Sequence, residues 1–356
     1  MYVHRHTGAI KCHTFEPEFD KFTDRSLSKQ KHEAAMKALQ VTGFADPIAL
    51  RDIDIPTPQT GQVRIRIHAC GLNFADLLMQ KGTYQDTPQP PFTLGMEVAG
   101  IVDAVGPDTV GPAVGTRVAV YGGHGGLAEF GCFDVTRCVE IPDSMPFTDA
   151  AAVQIAYGTS HVALDYKARL QPGETLLVLG AAGGVGLTAV ELGKLMGARV
   201  IAVARGADKL AVAKAAGADH VIDATHEDLR GALKALGGVD VVYDPVGGDQ
   251  FKAAFRACNP EARIIVIGFA SGDVPQIAAN HLLVKNITIH GFYWGGYLSF
   301  KPSVITESLD KLMAWYKDGK LHPHVSHCLN FDQANEGMQL LRDRKSTGKV
   351  VIKIRD

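Results

Sequence analysis

The stretch LLVLGAAGGVGLTAVELGKLMGA, residues 176–198, constrains what this chain can fold into more than any other. An apolar run ends at Gly180, glycines recur at Gly183 and Gly186, and an amphipathic helical pattern comes directly after. That order reads as a strand, a tight turn and a helix. Residues without Cβ atoms let a pyrophosphate approach the backbone, and the helix N-terminus behind them faces its charge. Gly180, Gly183, Gly184, Val185 and Gly186 are therefore candidates for binding the phosphates of a dinucleotide.

A strand buried on both faces needs parallel neighbours, and the rest of the chain supplies them. TLLVLG, RVIAVA, HVID, VDVVYD, RIIVIGF and ITIHGF alternate with helical blocks such as DKLAVAKAAG and FKAAFRAC. Six short β-branched runs in that rhythm predict right-handed βαβ crossovers and a complete doubly wound, six-stranded parallel sheet, an α/β fold. The sequence before about residue 150 differs: short strands punctuated by Gly and Pro, as in GQVRIRIHACGL and VGTRVAVYGG, predict a mostly-β domain. A chain of 356 residues suits two such domains. The terminal strand GKVVIKI is expected to return to the first.

The end of the second Rossmann strand selects the dinucleotide. NAD sites place Asp or Glu there for the ribose 2′-hydroxyl. Here the strand ends in Ala204-Arg205-Gly206, and Arg205 with Lys209 offers positive charge for a 2′-phosphate. Asp208 competes, but it sits where a helix N-cap is needed. NADPH is the expected cofactor.

The β-rich start, the GAAGGVG loop and the returning C-terminus resemble the medium-chain dehydrogenase/reductase family over about residues 36–356. The resemblance implies a GroES-like catalytic domain at 36–157 and 299–356, and a Rossmann domain at 158–298. Zinc-dependent members carry a catalytic Cys, a Gly-His-Glu motif and a four-Cys lobe. This chain has Asn73 at the Cys position, Gly95-Met96-Glu97 at the motif, and no such lobe. An amide and a thioether do not replace thiolate and imidazole on Zn²⁺, so no metal is expected. His124, His322, His324 and His327 lack ligand spacing and read as surface or packed histidines.

GLNFAD, YGTSHVAL and GFYWGGY are similar to the zinc-free quinone oxidoreductase branch, the zeta-crystallin-like proteins, and most to its quinone oxidoreductase-like subgroup. The resemblance implies hydride transfer from NADPH to a quinone or another α,β-unsaturated carbonyl. Negative charge then develops on the acceptor oxygen, and a donor aimed there stabilises it. Asn73 and Tyr84 are the candidate donors and Asp76 an orienting acid; a cap residue, a packed loop aromatic and a first-turn carboxylate are the structural alternatives. Thr159 falls where the family places groups near the nicotinamide, with a helix hydroxyl bonded to its own backbone as the alternative. Phe269 follows the fifth Rossmann strand, at the carboxyl edge where such sheets bind ligands. Lys349, in TGKVV, resembles a cofactor-contacting Lys, with a solvated surface Lys as the alternative. Tyr293, Trp294 and Tyr297 are expected to line an apolar acceptor pocket, with closure of the interdomain cleft or a dimer contact as an equal alternative. An enoyl-thioester or alkenal reductase, and a non-catalytic NADPH-binding protein of the crystallin or sensor kind, stay open beside this reading.

Formal charge is −2 and no apolar run reaches the roughly 18 residues of a membrane span, so neither nucleic acid nor membrane is an expected partner. Six scattered cysteines, none in a CxxC pair, suit a reducing compartment. The cytoplasm is expected, with an organelle left open. Residues 1–35 mix both charge signs without apolar periodicity and read as a flexible extension. The sixth strand, NITIHGF, is expected to pair across a two-fold in a homodimer, as in the family.

Overall fold

The computed structural model describes residues 35–355. The expected N-terminal extension lies outside these residues except for Ala35, which opens the first strand.

The first part is β-rich. It contains β1 (Ala35–Val41), β2 (Ala49–Asp54), β3 (Gln62–Leu72), the short helix α1 (Phe74–Gln80) and β4 (Phe92–Thr93). β5 (Glu97–Val105), β6 (Arg117–Tyr121), β7 (Phe130–Asp134) and β8 (Cys138–Glu140) come next. Helix α2 (Phe147–His161) then leads into the nucleotide-binding half: β9 (Thr175–Leu179), α3 (Gly184–Leu195), β10 (Arg199–Ala204), α4 (Ala207–Ala215) and β11 (His220–Asp223). That half continues with α5 (Leu229–Ala235), β12 (Val239–Asp244), α6 (Gly248–Ala257), β13 (Cys258–Val266), α7 (Ala279–Lys285) and β14 (Thr288–Gly291). The chain closes with α8 (Tyr297–Phe300), α9 (Ser303–Lys317), β15 (Val325–Asn330), α10 (Ala334–Arg342) and β16 (Lys349–Lys353).

β9 to β14 form one parallel sheet in the order β11-β10-β9-β12-β13-β14. The order reverses between β9 and β12, and such a switch point opens a crevice at the strands' carboxyl ends. Alternation divides the strands between two cores. Leu176 and Val178 join the core shared with α2 and α3, while Leu177 and Leu179 join the core under α5 and α6.

The other large sheet runs β15-β16-β3-β5-β6-β8, with β7 also on β3. Val63, Ile65 and Ile67 of β3 point inward at period two. Register sets which side chains meet at the end of this strand. Gly71 faces Glu97 of β5 on one side, and Leu72 faces Val350 of β16 on the other. The C-terminal strand therefore delivers Lys349 to the end of β3, opposite Glu97.

Helix α2 is buried on almost every face, as an Ala-rich helix apolar all round must be. Its approach explains Gly71: a Cβ there would lie 2.0 Å from the Ala151 carbonyl oxygen and 3.0 Å from the Glu97 carboxylate. Any side chain at 71 would push strand, helix and carboxylate apart. Among the described residues no helix is long and apolar enough to cross a membrane.

Candidate functional site

The turn after β9 begins at Gly180, in the left-handed region (φ 59°) that favours glycine. A Cβ on Gly186 would fall 2.2 Å from the Gly180 carbonyl oxygen, so only glycine lets α3 start this close to β9. Gly183 caps α3 without a side-chain acceptor. The N–H groups of Gly184, Val185 and Gly186 thus stand at a helix N-terminus with none of the helix's own carbonyls to bond. That is the donor set an anion needs. The loops after β12 and β13 adjoin the same turn. A Cβ on Gly180 would lie 3.0 Å from Val246, and one on Gly247 would lie 3.4 Å from the half-exposed ring of Phe269.

Beyond β10, helix α4 is capped by Gly206, not by Asp208 as the sequence suggested. The Gly206 N–H donates to Asp223 Oδ2 (2.9 Å), and Asp208 lies inside the first turn. Lys209 Nζ donates to the Arg344 carbonyl (2.6 Å), and Arg344 Nη2 donates to the Ala270 carbonyl (2.5 Å). Burial, then the charges of Arg344 and Arg205, hold Lys209 below the usual lysine range. Arg205, Lys209 and Arg344 so form one cationic corner. Sequence reasoning missed Arg344, because only folding brings the C-terminal RKSTGK segment to this loop. The Gly348 N–H donating to Ala182 O (2.9 Å) fixes that segment there.

At the end of β3 the side chains form a closed network. Asn73 precedes α1, and its Nδ2 donates to Glu97 Oε1 (2.9 Å) and Gly71 O (3.3 Å). Lys349 Nζ donates to Leu72 O (2.9 Å), Asn73 Oδ1 (2.8 Å) and Glu97 Oε1. Glu97 Oε2 accepts from the Ile155 N–H of α2 (2.9 Å). Lys349 and Glu97 are both buried, at 4% and 0% exposure, so this is an ion pair away from water. Lys349 is therefore neither the free cofactor contact nor the solvated lysine expected from its sequence context. Its three N–H bonds are spent inside the protein, although its stem borders Gly184. The Asn73 amide hydrogens are likewise engaged.

Asp76, fully buried, accepts from the Asn73 N–H (2.8 Å) and the Gly95 N–H (3.2 Å). Burial pushes its carboxyl up to about 7, against the pull of those N–H bonds and of Lys349. Glu97, which in the sequence reads only as the remnant of a zinc motif, proves to be the centre of the cluster. Among the described residues no three His, Cys, Asp or Glu side chains are grouped to hold a metal.

Across the cleft, Tyr84 O–H donates to the Tyr293 hydroxyl (3.4 Å), which donates in turn to the exposed carboxylate of Asp86. Burial first, then Asp86 and Asp76, raise Tyr84 above the ordinary phenol range, so it carries its proton at neutral pH. Asp86 stands two residues after Tyr84 in TYQD, a spacing that could have drawn attention to it. Trp294 is buried edge-on against Tyr121 (4.9 Å between ring centres, 75°). Thr159 is buried on α2, one turn beyond Ile155. Tyr297 departs from the expected pocket wall. It is buried among Tyr166, Phe292 and Phe300, an aromatic group bracing α8.

Comparison with known proteins agrees with this architecture. The alcohol dehydrogenase GroES-like domain matches residues 59–143, and the zinc-binding dehydrogenase domain matches residues 184–314. The quinone oxidoreductase-like protein 2 homolog of Nematostella vectensis is 43% identical over 89% of this chain and 88% of its own length. Quinone oxidoreductase-like protein 2 of Bos taurus is 37% identical over 87% and 90%. The quinone oxidoreductase of Thermus thermophilus, solved also in complex with NADPH, superposes with a TM-score of 0.80 at 32% identity, covering 90% of this chain and all of that one.

The cluster at the end of β3 makes two testable demands. Lys349→Met strands a buried carboxylate and is expected to cost about 3–5 kcal/mol in chemical denaturation. Glu97→Gln/Lys349→Met should lose less; equal losses would remove the ion pair as the cause. Folding raises the Asp76 acid, so the folded state binds its proton more tightly than the unfolded chain. Its stabilising contribution then falls as pH rises from 3.8 to about 7, and levels above that. The melting-temperature deficit of Asp76→Asn is accordingly larger at pH 5 than at pH 8, and a deficit equal at both would contradict this.

Proposed function

Because the chain belongs to the quinone oxidoreductase-like subgroup of the medium-chain dehydrogenases/reductases, we propose that it reduces quinones or related α,β-unsaturated carbonyls with NADPH and without zinc. The observation that carries the cofactor is the cationic corner of Arg205, Lys209 and Arg344 beside the β10 end, where an NAD enzyme needs an acid. The amides of Gly184, Val185 and Gly186 suit the pyrophosphate, and the loop residues Gly180 and Gly183 let it approach. Thr159 would hold the nicotinamide end, and Phe269, in the loop after β13, would border the cofactor. When bound, the cofactor supplies the hydride.

The chain's own part is proton supply and orientation. Tyr84, kept protonated by burial and by Asp86, would turn its O–H from the long bond to Tyr293 and donate it to the oxygen where charge develops. Tyr293 and Asp86 connect that hydroxyl to solvent, by which the proton is restored. Tyr293 and Trp294 bound the acceptor space. Asn73, pinned by Lys349 and Glu97, and Asp76 fix the start of α1 and so the approach to Tyr84. The side chains at the two ligand positions of the zinc-dependent pattern support zinc independence: the Asn73 amide is bonded to Glu97 and Lys349, and Met96 is a buried thioether.

NADPH oxidation with 9,10-phenanthrenequinone, with NADH and crotonyl-CoA in parallel and EDTA in one arm, tests the proposal. Expected is quinone turnover that prefers NADPH and ignores EDTA. Tyr84→Phe should lower turnover by about 10²- to 10⁴-fold with NADPH affinity unchanged. Turnover confined to the thioester would indicate an enoyl reductase. Tight NADPH binding with no acceptor turned over would indicate a binding protein.

We further infer a homodimer. β14 ends the parallel sheet with one side unpaired among the described residues, and Leu283 and Val284 of the preceding helix are 78% and 75% exposed. An open edge beside bare apolar side chains is a surface proteins cover. Leu283→Glu/Val284→Glu should shift the sedimentation coefficient from dimer to monomer; a wild-type monomer at micromolar concentration would refute the idea.

A further inference from the structure

Behind the Tyr121–Trp294 pair lies a cavity of about 580 Å³, within the usual range for small-molecule pockets. It is bounded by β7 and β8 on one side and α9 on the other, with Leu298, Ile305, Leu309 and Met313 forming an apolar wall. Tyr121 and Trp294 line it, and the Tyr121 hydroxyl lies against Gly295, next to Tyr293 of the cleft that holds Tyr84.

Two of its lining residues carry polar atoms without partners. Gln154 of α2 is 1% exposed, and among the described residues neither its Oε1 nor its Nε2 has a hydrogen-bond partner. Trp294 Nε1 is buried and equally unpartnered. The indole edge lies against Gly158, where a Cβ would stand 3.0 Å from Nε1. Gly158 comes four residues after Gln154, so the amide and the indole N–H share one face of α2, a turn apart. A buried polar group left so is costly, and native interiors rarely leave one unsatisfied.

The mouth of the pocket sets the charge of what enters. The exposed Asp134, Glu140 and Asp310 line the pocket, and Arg137 is the one cation among its described lining residues. Asp134 bonds the Thr136 N–H and hydroxyl, and Arg137 bonds the Gly122 carbonyl, yet their charges remain. The surplus of negative charge repels anions.

We propose that this cavity is a second ligand site, for an uncharged or cationic amphiphile whose apolar body lies along α9 and whose carbonyl or carboxamide head reaches Gln154 and Trp294. The site is independent of the reductase reading, because binding is measured without turnover.

The probe is octanamide, titrated calorimetrically into the full-length chain, with octanoate as the anionic control and NADPH as the reference ligand. Octanamide is expected to bind saturably at one per chain, and octanoate at least about tenfold more weakly. Gln154→Leu should weaken octanamide about tenfold and leave NADPH affinity within about twofold. Thr306→Trp, at an exposed position on the rim, should block entry even if the first variant folds poorly. No octanamide binding, equal binding of octanoate, unchanged octanamide affinity in both variants, or competition with 9,10-phenanthrenequinone would each overturn the proposal.

Discussion

The buried ion pair between Glu97 and Lys349 is the interaction on which the rest of the site depends. It joins the start of β5 to the start of β16, and through Asn73 and Ile155 it also fixes the beginning of α1 and the middle of α2. Such a pair adds little net stability over apolar packing, because both charges lose their water. Its value is geometric. Lys349 has three donors and finds three acceptors, so the C-terminal strand has one position in which its ammonium is satisfied.

That position has consequences at the nucleotide site. Lys349 comes directly after Gly348, whose N–H is bonded to Ala182 in the phosphate turn, and the preceding segment carries Arg344 to Lys209. One strand end thus ties the β-rich sheet, the glycine turn and the cationic corner together. The Tyr84 side of the cleft is built differently. Tyr84, Tyr293 and Asp86 come from loops of the two halves, and their hydroxyl chain crosses the cleft to solvent.

Local patterns made much of this legible. The apolar run before Gly180 and the helical pattern after Gly186 gave the strand–turn–helix, because period and glycine spacing are properties of adjacent residues. The six β-branched blocks likewise gave the parallel sheet, since strands buried on both faces need continuous apolar runs. Individual roles were harder to read. Lys349 looked like a free cation in TGKVV, and only the register of β16 against β3 shows its partner. Tyr297 looked like a pocket wall in FYWGGY, but α8 turns it toward Tyr166 and Phe300, while its neighbour Tyr293 faces Tyr84.

The fold class, the phosphate turn and the absence of an acid at the end of β10 are thus written in short windows of the chain, through backbone sterics and side-chain periodicity. Which charges are spent and which are available was settled only by the packing of the whole chain. Whether Asn73, Glu97, Arg344 or Lys349 faces a ligand or another side chain depends on contacts between segments far apart in the chain, and on how far burial strips them of water. No local pattern carries that information, because desolvation and pairing come into being only when the sheets and α2 close over them.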